Sequence, residues 1–438
     1  MKKILFFYKK LMATFWFIPV LIIIISIFLA VGLVIVDQGV QLSQDGIGKY
    51  FFVNSADSAR SILSTISGAM IGVAGTVFSV TLVALTLASS QFGPRLIKNF
   101  MYVRLNQVVL GSYVATYLYC LFVLNAIKEN DSYTFMPIIS ILIAIIAALV
   151  NIILLIIFIH KIATSIQADK VISDISTTIY KQIDSLFPSE IGKPLEEEKI
   201  NIVDNIKSKY LNSLAIKSQK NGYLQYIDGE TLLKIACKLD VLIELNFRPG
   251  DHLVEDIEIA KVYSNNILEK EEIKNICNQF VIGKTKVGDQ DVEFSIHQMV
   301  EIASRALSPG VNDPYTAMTC IDNLTASLCL FTKTNFPSKY RIDEKGNLRM
   351  IANITNFEGL MDASFNQIRQ FSAGSTAVII KLMEGLITIY QFAKKEDQKK
   401  AVIKHTKMVL NVGKQSIKEP IDYTDLEERS KIIFIENN

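Results

Sequence analysis

The sequence is poor in the residues from which metal sites, disulfide scaffolds and hydrolytic enzymes are built. Its 438 residues include five cysteines without a C-x-x-C pair and four histidines, none at metal-ligand spacing from another. These patterns argue against a disulfide framework and a zinc site. No Ser-x-x-Lys pair, G-x-S-x-G elbow, P-loop or H-E-x-x-H helix occurs. We therefore predict a protein that is not an enzyme and that binds no metal or cofactor.

An excess of charge of one sign is also missing. Lys and Arg total 45 against 43 Asp and Glu, and no basic tract is interleaved with aromatic residues. Nucleic acid is therefore not an expected partner. Half of the residues are hydrophobic, which is high for a soluble protein and low for a transporter that lies mostly in the membrane. A membrane domain joined to a soluble domain is expected, with the lipid bilayer as a partner.

Four apolar stretches are long enough to cross a bilayer as helices. They predict a transmembrane domain over residues 1–165, with spans at 12–36, 62–90, 108–127 and 135–159. Lys and Arg cluster before the first span, after the second and after the fourth. This distribution predicts a multi-pass protein of the plasma membrane with both termini in the cytoplasm. The span cores contain no Asp, Glu, Lys or Arg, which argues against an ion-coupled carrier, and Asn151 is expected to hydrogen-bond between helices.

The second span has two sides that differ in size and polarity. At helical spacing, small and hydroxyl residues form one stripe, and the candidate pore-lining residues within it are Thr65, Gly68, Gly72, Gly75, Ser79 and Thr86. Such residues gain nothing from contact with hydrocarbon, so the stripe is expected to face protein or water. Two interpretations stay open: a tight helix contact through Gly68-x-x-x-Gly72, or the lining of an aqueous path.

The chain after the fourth span is predicted to be a cytoplasmic α+β domain in which helices dominate. The fold class is therefore a membrane α-helical protein with four transmembrane helices and a C-terminal soluble domain. Composition and periodicity predict three parts, a helical linker at 166–220, a small α+β subdomain at 221–290 and a helical subdomain at 291–438. Alternating apolar residues predict strands at 222–228, 241–247 and 257–263.

A polar turn between two predicted helices is the strongest polar signal in the soluble part. Arg305 lies near the end of one helix, Asn312 lies in the turn, and Asp313 is the expected N-cap of the next helix, with Pro314 at its first position. A tight turn could bring the guanidinium and the carboxylate together. The turn is therefore interpreted as a structural corner, with an anion-binding regulatory site as the alternative.

Two blocks of residues resemble the signature of a bacterial family of predicted membrane proteins known only as a domain of unknown function. The first is the run FSVTLVALTLASSQFGPR ending at Arg95, and the second is Gln290-Asp291 followed by IASRALSPGVNDPYTA ending at Ala317. The pair Gly222-Tyr223 and the triplet Arg248-Pro249-Gly250 also fit. The family pattern has an Arg-Thr pair where this sequence has Lys286-Val287. The resemblance implies a fold shared across bacteria and no established activity.

Two functions of different classes follow from these observations. The first is a homo-oligomeric ion channel in which the stripe of the second span lines a shared pore and the cytoplasmic domain regulates it. Arg60 and Arg95, at the two ends of that span, would make the pore prefer small anions, although Asp57 lies one turn before Arg60. The second is a membrane-anchored sensor or scaffold without transport activity, in which the stripe only joins helices.

Overall fold

The computed structural model describes residues 11–12, 14–39, 55–96, 104–130, 133–186, 193–194 and 203–435. The chain divides into two compact units, Met1–Lys170 and Val171–Asn438, called unit 1 and unit 2 below. The lysines before the first predicted span, and most of the basic loop after the second span, lie outside the described residues.

Unit 1 is a bundle of long apolar helices. These are α1 (Phe17–Gly39), α2 (Ala56–Phe92), α3 (Arg104–Ala126) and α4 (Ile138–Ser165). Each is long and apolar enough to cross a membrane, as the sequence predicts for four spans. The short antiparallel strands β1 (Lys128–Asn130) and β2 (Tyr133–Phe135) connect α3 to α4. With its 37 residues, α2 is roughly 55 Å long, which exceeds the thickness of a bilayer core.

Helix α3 is the central helix of unit 1 and contacts α1, α2 and α4. Its contact with α1 is close because Gly111 has no side chain. A β-carbon at Gly111 would lie 2.8 Å from the α-carbon of Pro19 and 3.1 Å from Cδ1 of Ile22. The glycine therefore sets the distance between these two helix backbones.

The interior of unit 1 contains a polar cluster around Asn151, which is fully buried. Its Nδ2 donates to Oγ1 of Thr116 at 2.8 Å, and its Oδ1 accepts from the Ser112 hydroxyl at 2.5 Å. The hydroxyl of Tyr113 donates to the Asn151 carbonyl at 2.7 Å. These bonds join α3 to α4 and confirm the interhelical hydrogen bonding predicted for Asn151.

A carboxylate caps the first turn of α4. Both oxygens of Asp37, near the end of α1, accept backbone N–H groups, from Ile139 at 2.9 Å and from Ser140 at 3.0 Å. The Ser140 hydroxyl also donates to Asp37, at 2.6 Å. A charged residue at the end of a span is thereby bonded to helix N–H groups that have no intrahelical partner.

From Ala168 onwards the chain forms an α+β arrangement. The helices are α5 (Ala168–Leu186), α6 (Val203–Lys207), α7 (Gly229–Leu239), α8 (Lys270–Cys277), α9 (Val292–Ala306), α10 (Pro314–Lys333), α11 (Phe357–Phe371), α12 (Thr376–Phe392), α13 (Glu396–Ser416) and α14 (Pro420–Ile435). The strands are β3 (Lys193–Pro194), β4 (Asn212–Lys217), β5 (Gly222–Ile227), β6 (Leu242–Leu245), β7 (His252–Leu253), β8 (Glu258–Ser264), β9 (Phe280–Gly283), β10 (Tyr340–Ile342) and β11 (Leu348–Ile351).

The strands that the structure describes in unit 2 form two sheets. One has six strands in the order β3-β10-β11-β6-β8-β4, and the other has three in the order β7-β5-β9. The pair β11–β6 is parallel, with Met350 opposite Ile243, while the other pairs are antiparallel. The core between α7 and the strands contains Leu232, Ala236 and Val262, each fully buried.

The structure differs from the predicted subdivision of unit 2 in two places. Asn212–Lys217, within the expected helical linker 166–220, is the edge strand β4. Ile216 is its one buried residue, so the sequence has no apolar alternation that would indicate a strand. The pairing of β11 with β6 also carries the six-stranded sheet across position 290, where a boundary between subdomains is predicted.

The helices after Asp291 pack on one another as a layer. Helix α10 contacts α9 and α12, and α11 contacts α9 and α13. The closing helix α14 contacts α12 and α13 and buries Leu426 and Ile433. The predicted dominance of helices in this part of the chain is confirmed.

Candidate functional site

The small-residue stripe of α2 lies on the side of the helix that faces away from the rest of unit 1. Its exposed members include Thr65, Gly68, Gly72, Gly75, Ser79 and Thr86. The residues of α2 buried against the bundle include Ala59, Leu63, Ser67, Met70, Ala74, Val77, Thr81 and Ala88. At about 100° per residue, the centres of the two sets are roughly 160° apart around the helix. The candidate pore-lining residues therefore share one outward face.

The glycines of this stripe are open. Among the described residues, a β-carbon at Gly68, Gly72 or Gly75 would have no heavy atom within 4 Å outside the local helix, whereas one at Gly111 would meet α1. The tight contact through Gly68-x-x-x-Gly72 is therefore not made within one copy of the chain. These three glycines do not contribute to the packing of the bundle that the structure describes.

The hydroxyl groups of the stripe donate to their own helix. Thr65 donates to the Ser61 carbonyl at 2.7 Å, Ser79 to Gly75 at 3.0 Å and Thr86 to Leu82 at 2.9 Å. The donors are thereby satisfied without water, and each oxygen keeps its capacity to accept a hydrogen bond. Such a face is compatible with a dry helix contact and with a wet one.

Of the two charged candidates at the ends of α2, the structure describes the side chain of Arg60 and not that of Arg95. Nη1 of Arg60 lies 3.4 Å from Oδ1 of Asp57, so the carboxylate that precedes it by one turn offsets its charge. Arg95 lies in the 3-10 turn Pro94–Leu96 that follows the end of α2. Its side chain lies outside the described part of the structure.

The turn between α9 and α10 has the predicted backbone. Asp313 accepts from the Thr316 N–H at 3.1 Å as the N-cap of α10, and Pro314 begins that helix. Asn312 has a φ of 51°, a left-handed conformation that asparagine tolerates. Nε of Arg305 lies 3.6 Å from Oε1 of Glu301, within α9. Because the Thr316 hydroxyl and N–H bind the Asp313 carboxylate, its pKa is lowered from its usual value.

A second polar site joins two sequence blocks that lie 40 positions apart. The carboxylate of Asp291, the N-cap of α9, lies against Gly250, where φ is +101° and any β-carbon would overlap it. Nη2 of Arg248 pairs with Oε1 of Glu293 at 2.8 Å. Asp291 is 8% exposed, and burial, followed by the charge of Glu293, raises its pKa to about 6. We call this group of four residues the Arg248–Asp291 junction.

Gln290 and Gln225 connect the same region to the three-stranded sheet. The Gln290 amide bonds the backbone of Ile227 in both directions, at 2.9 Å and 3.1 Å. Gln225, which is buried, donates to the Thr285 carbonyl at 2.6 Å. Nζ of Lys286 lies 5.6 Å from the centre of the Tyr223 ring. Lys286 is therefore a cation next to an aromatic ring.

The titratable residues of the described ranges do not form a metal centre. These ranges contain no group of three or more His, Cys, Asp and Glu placed to hold a metal ion. Cys120, Cys320 and Cys329 are buried, and each of the five cysteines is a free thiol.

Comparison with known proteins identifies the family. The profile described as predicted membrane protein (DUF2254) matches residues 12–388. The chain belongs to the DUF2254 family. The uncharacterized protein Rv1290c of Mycobacterium tuberculosis (strain ATCC 25618 / H37Rv) is 27% identical over 381 residues, which cover 86% of this chain and 72% of that protein. The uncharacterized protein Mb1321c of Mycobacterium bovis (strain ATCC BAA-935 / AF2122/97) matches over the same length with the same identity. No solved structure matches the chain.

Membership in the DUF2254 family confirms the resemblance and the membrane character predicted from the sequence. The Arg248–Asp291 junction was not predicted as a site, although two of the quoted blocks, Arg248-Pro249-Gly250 and Gln290-Asp291, supply three of its four residues. The available signal was a glycine after a proline, a position that often requires a positive φ. The sequence gives no sign that this glycine lies against an aspartate cap.

Proposed function

We propose that the protein is a homo-oligomeric ion channel of the bacterial plasma membrane. In this assembly the α2 helices of neighbouring copies meet along their small-residue faces and surround a path for small ions. Both termini and unit 2 lie in the cytoplasm, where unit 2 regulates opening. The observation that carries the proposal is the outward direction of the face bearing Gly68, Gly72 and Gly75.

A face of small residues favours contact between helices in a membrane. Lipid chains and apolar side chains are equally apolar, so helices associate there where small residues let their backbones approach. The open glycines of α2 provide that surface on the outside of the protomer. The bundle interior, by contrast, is filled by side chains such as Tyr113 and Phe158, which are almost fully buried. A conducting path would therefore lie between copies.

The proposed ion preference is a weak preference for anions. A ring of Arg60 side chains at one end of the path would attract anions, but each arginine has Asp57 at 3.4 Å. Exposed ion pairs of this kind contribute little to protein stability, and salt screens the attraction between the two charges. We therefore expect selectivity to increase when Asp57 is replaced by Asn, since the arginine charge is then no longer offset.

Ion flux from liposomes tests the proposal. Purified full-length protein is expected to release chloride, and Gly72→Leu or Ser79→Leu is expected to reduce the flux at least fivefold by filling the face. Gly32→Leu is the matched control, because Gly32 is also an exposed glycine of a spanning helix with no neighbour within 4 Å of its β-carbon position. Absence of flux from the unmodified protein, or equal loss in the control, would contradict a channel.

A second function is a membrane-anchored sensor or scaffold that transports nothing. The specific observation in its favour is that the stripe hydroxyls of Thr65, Ser79 and Thr86 already donate to their own helix, as a dry contact requires. Neither proposal assigns catalysis to the chain. A stable dimer that depends on Gly72 and releases no ions would favour this second function.

A further inference from the structure

A cleft at one end of unit 1 lies between three spanning helices. Its lining includes Thr81 and Leu85 from α2, Asn106 from α3, and Lys161, Ile162 and Ser165 from α4. Its volume is about 320 Å³ with the open mouth included, while its enclosed part has room for about one water molecule. The cleft is therefore an open groove that would contact one side of a ligand, not a cavity that would enclose it.

The amide of Asn106 gives the cleft its polar centre. Asn106 lies in the first turn of α3 and is 9% exposed. Its buried Oδ1 accepts no hydrogen bond from the residues that the structure describes. A buried amide oxygen without a donor destabilises a protein, so this position favours a bound group that carries an N–H or O–H.

The remaining lining supplies positive charge and acceptors. Among the described residues that line the cleft, Lys161 is the one that is charged, and none is acidic. The Thr81 hydroxyl donates to the Val77 carbonyl at 2.8 Å and the Ser165 hydroxyl to Ile162 at 3.0 Å, which leaves their oxygens as acceptors. A fitting ligand thus combines an anion for Lys161 with a hydroxyl donor for Asn106.

The depth of the cleft agrees with a lipid head group. Twenty-five residues separate Arg60 from Leu85 along α2, which at about 1.5 Å per residue is roughly 37 Å. A bilayer core is about 30 Å thick, so with Arg60 at one boundary the cleft lies at the level of the phosphates on the other. Lys161, near the end of α4, lies at that level as well. Leu85 and Ile162 add apolar surface beside the polar groups.

We propose that this cleft binds the head group of an anionic phospholipid, and that its occupant is phosphatidylglycerol. The phosphate pairs with the Lys161 ammonium, and a glycerol hydroxyl donates to Oδ1 of Asn106. Basic clefts between spanning helices are suited to phosphate head groups, which neutralise the cation at the boundary. The inference rests on unit 1 spanning a bilayer and does not require the channel or its oligomer.

Thermal unfolding of the full chain in detergent with added lipid tests this site. We expect phosphatidylglycerol to raise the unfolding temperature. The concentration that produces a given rise is expected to be at least tenfold lower than for phosphatidylcholine with the same acyl chains. Lys161→Gln is expected to abolish most of that difference, while Lys128→Gln, an exposed lysine near the other end of α3, is expected to retain it. Asn106→Leu is expected to fold and to bind more weakly, because it removes an amide oxygen that accepts no hydrogen bond from the described residues.

Three outcomes would overturn the proposal. Equal stabilisation by phosphatidylcholine and phosphatidylglycerol would remove the role of the anion. If Lys161→Gln and Lys128→Gln lost the same amount of stabilisation by phosphatidylglycerol, the lipid would be attracted by the general positive charge of the protein and not by the cleft. Stabilisation by inorganic phosphate alone at the same concentration would assign the cleft to a soluble anion instead of a lipid.

Discussion

The carboxylate of Asp291 lies directly against the α-carbon of Gly250. Gly250 has φ +101°, and its N–H donates to the Leu224 carbonyl at 2.8 Å, so the turn is fixed from both sides. Asp291 in turn accepts the Phe294 N–H at 3.2 Å and begins α9. The turn at Gly250 and the first turn of α9 thus contact each other directly. This contact leaves no room for a side chain at position 250.

The contact predicts that Gly250→Ala destabilises unit 2. A left-handed φ disfavours alanine by about 1 kcal/mol, and the overlap with Asp291 adds a further 1–3 kcal/mol. Gly346→Ala is the matched control, since Gly346 also has a positive φ, 85°, but nothing within 4 Å of its β-carbon position. Thermal unfolding of the two variants measures the difference. Equal losses would show that the Asp291 contact contributes nothing.

The raised pKa of Asp291 predicts a pH dependence of stability. Its pKa is about 6 in the folded protein against 3.8 for an ordinary aspartate, so the folded state holds the proton more tightly between these values. The stability supplied by this proton is therefore present at pH 4 and is lost as pH rises through 6. The difference is on the order of 2–3 kcal/mol. Arg248 and Lys286 limit the shift, because their charges favour the carboxylate.

Asp291→Asn tests this dependence directly, because asparagine caps a helix as well as aspartate does and carries no charge. We expect the variant to lose the slope of unfolding temperature between pH 4 and 6, and to be the more stable protein at pH 7. An unchanged slope would show that another group titrates there.

The buried pair of Arg349 and Asp343 predicts a dependence of the opposite sign. Nε of Arg349 lies 2.8 Å from Oδ2 of Asp343, and both side chains are at most 10% exposed. Although burial alone would raise it, the hydrogen bonds from Arg349 and Asn347 bring the pKa of Asp343 to about 2. The stability from this depressed pKa is present above pH 4 and is lost as pH falls through 2.

Removing one partner leaves the other charge buried, so Arg349→Leu is expected to destabilise unit 2 by about 3 kcal/mol. Arg349 also pairs with Asp240, whose side chain is 77% exposed and is solvated without the arginine. The double variant Arg349→Leu, Asp343→Leu is therefore expected to recover part of the loss, since no buried unpaired charge of this pair then remains. Chemical unfolding of both variants checks this. A double variant no more stable than Arg349→Leu would mean that the pair acts through packing alone.

Substitution of two glycines of unit 1 is expected to have different effects on the stability of the protomer. Gly111→Leu forces a side chain into the backbone of Pro19, so we expect a loss of at least 2 kcal/mol in the stability of the protomer. Gly72→Leu enters open space and is expected to leave the stability of the protomer unchanged. Unfolding of both variants in a detergent that keeps the chain monomeric measures this. A large loss for Gly72→Leu would mean that α2 packs differently.

Local signals in the sequence predicted the elements whose causes are local. Asp313 caps α10 with Pro314 at its first position, and the four apolar stretches form long helices, because caps and hydrophobic length act over a few residues. The strand β4 was missed because an edge strand with one buried residue has no apolar alternation. Its partner β8 specifies it, and that information is not local.

The small-residue stripe of α2 was predicted only in part, because local signals do not show how helices pack. Periodicity placed the small residues of α2 on one face, and the structure keeps them together. It could not say which face of α2 the bundle would cover, because that depends on α3, whose Val109 and Tyr113 fill the contact with Met70 and Val77. The burial of Asp291 likewise follows from the Gly250 turn, which comes from another part of the chain.

Disulfide cross-linking along α2 in native membranes tests most directly whether copies meet on the small-residue face. In a chain whose five cysteines are replaced by alanine, Gly68→Cys, Gly72→Cys and Ser79→Cys are expected to form covalent dimers under mild oxidation, while Gly32→Cys on α1 is expected to stay monomeric. The account would be contradicted if the α2 variants remained monomeric, or if Gly32→Cys cross-linked as readily as they do.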